Sequence, residues 1–163
     1  MSILSICEWI DGTAFSTAIR ESIWLFPIIE TVHLLGIAAS AGTILFVDLR
    51  LLGIAMKRER LSDVLDQLQP WTVAAFLVMV STGLLLFLSE AVRCYHSVFF
   101  QIKVAMLALA AANAVLFHRK LYPGVKDWDG LPVSPAPARL SGALSLALWI
   151  GIIAMGRAIA YGK

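Results

Sequence analysis

Long apolar runs separated by short charged clusters make up most of the chain. One run extends from about Ile28 to Leu52 and a second from Trp71 to Val92. A third covers Phe99 to Tyr122 and a fourth Leu140 to Tyr161. A helix rises about 1.5 Å per residue, so roughly 20 apolar residues cross the hydrocarbon of a bilayer. Each run therefore predicts a transmembrane helix, and the short connections predict antiparallel neighbours. The fold class is all-α, an integral membrane four-helix bundle over residues 28–163. An N-terminal interfacial segment, 1–27, precedes it. No internal repeat or second domain interrupts this pattern.

The opening segment lacks the basic start and small-residue cleavage site of a signal peptide. Asp11, Gly12 and Thr13 predict a helix start. Phe15, Ala18, Ile19, Ser22 and Phe26 give that helix a partly apolar face, as in an interfacial helix, with Pro27 breaking it from the first span. One long tilted helix from Thr13 onward is the alternative. Leu61, Val64, Leu65 and Leu68 are spaced for a short amphipathic helix ending at Pro70. Pro123, Gly124, Pro132, Pro135 and Pro137 predict an extended, irregular loop before the fourth run.

Of 163 residues, 60% are hydrophobic and 15% charged, against about 25% charged in soluble domains. The net charge of +2 is too small to point to nucleic acid. Where the charges lie says more. Arg50, Lys57, Arg58 and Arg60 follow the first run, and Arg119, Lys120, Lys126 and Arg139 follow the third. Arg20, Arg93, Lys103, Arg157 and Lys163 are sparser and fall at the other end. The denser group predicts two cytoplasmic loops and periplasmic termini in a bacterial inner membrane. Cys7 and Cys94 then share the outer side, where disulfides are permitted. Two free thiols are the preferred reading, because spacing gives no bonding geometry.

Ionisable groups within apolar spans are costly and point to function. Counted from a midpoint near Ala39, His33 lies about 9 Å toward the outside, with Glu30 a turn further out. Lys103 lies about 11 Å from the middle of the third span, on the same side. Glu90 and Arg157 reach a similar height, which predicts an outer layer of Glu30, His33, Glu90, Lys103 and Arg157. A second layer at the inner end holds Asp48, Arg50, His118 and Arg119. Plainer readings stand beside these. Arg50, Arg93 and Arg119 would snorkel to headgroups. Glu90 would pair with Arg157 and His118 with Asp48, while His96 would be solvated. His33 is the residue such readings explain least. A histidine facing the core of a helix bundle is a common way to hold haem. Lys103 matches its height on another helix, His118 lies at the wrong depth, and His96 matches only if the third helix starts deeper. No Gly-rich phosphate loop, hydrolytic triad or Cys cluster offers another chemistry.

The segments "SIWLFPIIETVHLLGIAASAGTILFVDLRLLG", "PWTVAAFLVMVSTGLLLF", "FFQIKVAMLALAAANAVLFHRKLY" and "LWIGIIAMGRAIAYG" resemble a family of short bacterial inner-membrane proteins of no settled function. The likeness runs from about Ser22 to Tyr161, and "VDLRLLG" and "GRAIAY" are its more specific pieces. The first-helix histidine and the Lys103–His118 segment more distantly resemble HemJ-type protoporphyrinogen oxidases and CopD-type copper-resistance membrane proteins. The HemJ-type likeness implies a b-type haem, with His33 and Lys103 as the positions to carry over as iron ligands. Glu30 stands where that pattern is basic, and the oxidation reaction itself is not implied.

The expectation is thus a membrane bundle holding one haem b near its outer face. It would pass electrons from a membrane donor, with quinol as the candidate, to a periplasmic redox protein. His33 is the expected axial ligand, Lys103 the second, with His96 and His118 behind it. Glu30, Glu90 and Arg157 would meet the haem propionates or tune the site. The alternatives are a non-catalytic anchor or assembly subunit of a larger complex, and a small transporter or copper-handling protein. Met56, Met79, Met106 and Met155 are too scattered for an obvious thioether copper site.

Overall fold

A computed structural model of the chain describes residues 2–161, apart from the side chain of Ala160. Lys163 lies outside the described residues. Two short helices open the chain, α1 (Ile3–Asp11) and α2 (Ala14–Glu21). The Thr13 hydroxyl caps α2 by accepting from the Ser16 amide at 3.2 Å, which satisfies one of its free amides. Helix α1 was not expected from the sequence. The first span, α3 (Leu25–Leu51), is separated from α2, so one continuous helix from Thr13 does not form. Pro27 lies inside the first turn of α3 and does not mark the break. The first turn has no helical acceptor for that residue's amide, so proline is tolerated there.

The second span, α4 (Leu61–Ser89), is one unbroken helix containing Pro70. This corrects the expected separate helix ending at that proline. Leu61 and Leu65 bury their side chains with Leu51, Phe117, Val125 and Ala138 at the end of the bundle remote from α1 and α2, termed the inner end. That burial outweighs the backbone bond Pro70 cannot make, whose loss costs about 3 kcal/mol. A short α5 (Ala91–His96) leads into α6 (Val98–Leu116). The chain then continues through a π-helical turn (Phe117–Leu121) and a 3-10 turn (Tyr122–Asp127). The loop before the fourth span is therefore partly helical, not wholly irregular. The last span is α7 (Ala136–Tyr161), with Pro137 in its first turn. Four of these stretches are long and apolar enough to cross a membrane.

The spans do not close into a ring. Helix α3 packs along α4 and also against α7, and α6 packs along α7. The backbones of α4 and α6 stay apart, although Phe87 stacks on Phe100 near the outer end with ring centroids 5.6 Å apart. Between α3 and α4 the approach is tightest at Gly36. A Cβ there would meet the Met79 backbone at 3.1–3.2 Å. Small residues allow this approach. One turn on, buried Ser40 donates to the Gly36 carbonyl at 2.8 Å. Gly36→Leu is expected to force the hairpin apart and cost about 1–3 kcal/mol. Thermal unfolding in detergent would show it, whereas Gly42→Leu, with nothing within 4 Å of its Cβ position, should change little.

Two polar clasps hold the ends. At the outer end, Arg20 Nη1 donates to the Ser89 carbonyl at 3.0 Å and pairs with Asp11 at 3.1 Å. A cation thereby sits on the carbonyl end of α4, where the helix dipole favours it. At the inner end, Arg50 is 1% exposed. Its Nε donates to the Glu59 carbonyl at 2.8 Å, and its Nη2 to the carbonyls of Asp129 (2.8 Å) and Leu131 (3.1 Å). Arg50 therefore does not snorkel to headgroups but ties both inner loops to α3. Just beyond it, Gly53 has φ +69°. Its amide bonds the Arg50 carbonyl at 3.1 Å, and the Ile54 amide bonds the Leu49 carbonyl at 3.0 Å. This is the double bond pattern that ends a helix at a left-handed glycine. The "DLRLLG" segment thus reads as buried acid, arginine latch and helix stop.

Candidate functional site

The bundle interior is layered. An apolar middle joins Met79, Trp149 and Ile152 to Ile37, Ala41, Met106 and Leu107. One helical turn outward from Ile37 and Leu107 come His33 and Lys103, both half-buried. The His33 ring reaches across to α4. Its Nδ1 lies 2.9 Å from the Met79 carbonyl and 3.1 Å from Thr82 Oγ1. A carbonyl only accepts, so Nδ1 carries the proton. Thr82 spends its own proton on the Val78 carbonyl at 2.6 Å and can accept a share of the same N–H. Nε2 is left as a lone-pair donor on a ring held in place, the arrangement that metal-binding histidines use. The ring fits because position 83 is glycine. A Cβ there would come within 2.9 Å of His33 Cε1.

Lys103 lies against α7 at Gly156. Its Nζ lies 3.6 Å from where a Cβ on Gly156 would be. Its charge acts within electrostatic reach of the His33 ring. Among the described residues it makes no ion pair. His33 and Lys103, from α3 and α6, are the two members of the expected outer layer that meet inside the bundle.

The other members do not join them. Glu30 is exposed on α3. Glu90 pairs with Arg93 at 3.0 Å, not with Arg157, because the turn between α4 and α5 puts the two three residues apart. Arg157 is exposed and turns along its own helix to Tyr161, donating to that hydroxyl at 2.9 Å. His96 is exposed at the end of α5, edge-on to Tyr95. No group of three or more His, Cys, Asp or Glu side chains gathers among the described residues.

Further in, where α4 and α6 stand apart, lies a cavity of about 440 Å³. All four spans contribute to it. Its polar lining includes Asp48, Gln69, Asn113, Ser145 and His118, and its aromatic lining includes Phe76, Phe117 and Trp149. Neither His33 nor Lys103 lines it. The expected pair between His118 and Asp48 does not form. His118 Nδ1 instead lies 2.9 Å from the Ala114 carbonyl on its own helix. Asn113 and Ser141 satisfy each other, amide to carbonyl at 3.0 Å and hydroxyl to amide oxygen at 3.1 Å. Asp48 is 4% exposed, with Ser145 beside its carboxyl, and its Oδ2 makes no hydrogen bond among the described residues. The sequence pointed to Asp48 and His118 but not to the space between the helices that they share.

Cys7 and Cys94 are both free. Burial, and next the Glu90 carboxylate, push the Cys94 thiol up to about 11. The reactive thiolate is therefore scarce at neutral pH. Alkylation of Cys94 by iodoacetamide should be slow at pH 7 and accelerate by about tenfold per pH unit until near pH 11. Peptide mass mapping of a pH series checks this, and rapid complete labelling at pH 7 would contradict it.

A family profile, described as a family of unknown function (DUF6644), matches residues 8–162, and the chain belongs to that family. No curated protein and no solved structure matches the chain, so the likeness to HemJ-type and CopD-type proteins gains no match.

Proposed function

We propose that this member of the DUF6644 family is a membrane-embedded b-type haem protein that passes electrons from a lipid-soluble donor to a periplasmic partner. The observation that carries this reading is the His33 ring. It lies within an apolar bundle, is anchored through Nδ1 to the Met79 carbonyl, and keeps Nε2 free. That donor chemistry fits an axial haem ligand. Lys103 would be the second residue to hold the haem, and Arg157, which pairs with no carboxylate among the described residues, would meet a propionate. Bound haem would supply one-electron chemistry. The protein would hold the ring's tautomer and place apolar side chains of the bundle middle beneath the site.

The proposed orientation places both termini in the periplasm of a bacterial inner membrane. Lys57, Arg58, Arg60, Arg119, Lys120, Lys126 and Arg139 are all exposed at the inner end. At the outer end, Arg20 and Arg93 are the basic residues outside the spans among the described residues. This contrast supports the orientation even with Arg50 buried. A reporter fused after Lys163 should be active only outside the cytoplasm.

The test of function is haem content. Protein purified from a haem-replete host should contain near-stoichiometric haem b by the pyridine haemochromogen assay. Haem-free protein would refute the proposal and leave the anchor-subunit reading.

A further inference from the structure

We infer that the cleft between α4 and α6 is a binding site for the reduced head of an isoprenoid quinone, with Asp48 and His118 as its hydrogen-bond acceptors. This names the membrane donor of the proposed function and rests on that reading for its role, but the binding itself does not require haem.

The cleft is built for a polar head on an apolar body. Its walls are mainly aliphatic and aromatic, and the separated backbones of α4 and α6 open it toward the acyl chains. Ligand sites of about 300–1,000 Å³ with a few placed polar groups are of this kind. Some of the polar groups already have partners. Asn113 is satisfied by Ser141, and Thr72 donates to the Leu68 carbonyl. Among the groups still open, beside Gln69 and Ser145, are two acceptors. One is Asp48 Oδ2, buried and without a hydrogen bond among the described residues, a state that is unfavourable until a donor arrives. The other is His118 Nε2, because the Nδ1 proton is committed to the Ala114 carbonyl. A hydroquinone offers a hydroxyl donor to each.

Charge selects against the other occupants a bilayer offers. Among the described residues, no lysine or arginine lines the cleft. A phosphate headgroup, a fatty-acid carboxylate or a haem propionate would find no cation there, only the Asp48 carboxyl. The cleft therefore suits an uncharged head, and it is separate from the His33–Lys103 layer.

Binding should be measured in nanodiscs of quinone-free phospholipid, with the short-chain quinol decylubiquinol kept reduced under argon and bound ligand counted after rapid filtration. Wild-type protein should bind it saturably. Asp48→Leu should weaken binding by about tenfold or more, the loss of one buried hydrogen bond. Ala111→Phe, which fills the cleft from α6, should abolish it. Melting temperatures show that each variant is folded, and Leu109→Phe on the lipid-exposed side of α6 should bind as wild type does. Undiminished binding by folded Ala111→Phe would overturn the assignment. So would binding of tetraphenylphosphonium but not quinol, which would make the cleft a site for lipophilic cations. Quinol binding by a wild-type protein that contains no haem would sustain this inference while removing the haem reading.

Discussion

Arg50→Ala is expected to cost the protein about 3–5 kcal/mol and to loosen the inner end of the bundle before the spans separate. The guanidinium is 1% exposed and binds three carbonyls from two loops. Hydrogen bonds from a charged donor are worth about 1.5–3 kcal/mol each. Removing the side chain also empties the space of one of the largest fully buried side chains. Arg50→Lys should recover little, because one ammonium cannot reproduce a planar fork aimed at carbonyls on two sides. Proteolysis should register the change first, with new cleavage in the 122–135 loop at temperatures where wild type resists. If Arg50→Ala melts and is cleaved like wild type, the latch contributes nothing and the arginine is merely buried.

His33→Ala is expected to remove haem while leaving an inserted, folded protein. The substitution deletes one interhelical hydrogen bond, to Met79, worth about 1 kcal/mol. The spans keep their length and the α3–α4 contact at Gly36 is untouched. Added imidazole should partly restore the spectrum by occupying the vacated position. Gly83→Leu should act in the same direction from the other helix, since a Cβ there already crowds Cε1 at 2.9 Å. Lys103→Ala should shift the spectrum or speed haem loss without removing the cofactor, because water can take the sixth position. Loss of haem from Lys103→Ala with retention in His33→Ala would reverse the assignment of the ligands.

The spans were legible because apolar length alone decides insertion: the four runs and the four long helices coincide to within a few residues, except where α4 runs back through Pro70. That extension depends on Leu61 and Leu65 finding Phe117 and Val125, which are distant in sequence. Depth along each helix was also legible, since rise per residue is fixed. It placed His33 with Lys103, and Asp48 with His118, at opposite ends. Rotation about each axis was less so. Glu30 and Arg157 share the expected height but face outward. Arg50 looked like any basic residue at a span's end, because its acceptors are backbone carbonyls, which leave no trace in residue types. Gly83 matters for the room it leaves, and a single sequence does not show that His33 enters that room.

The central claim is that His33 holds haem, and the most direct test is the visible spectrum of detergent-purified wild-type protein, oxidised and then reduced with dithionite, beside His33→Ala and His118→Ala. The account predicts a Soret band in wild type that sharpens and shifts on reduction, its loss in His33→Ala, and its persistence in His118→Ala. Absence of a Soret band in wild type would contradict the haem reading. Loss in His118→Ala with retention in His33→Ala would place the haem at the inner end, in the cleft assigned here to quinol.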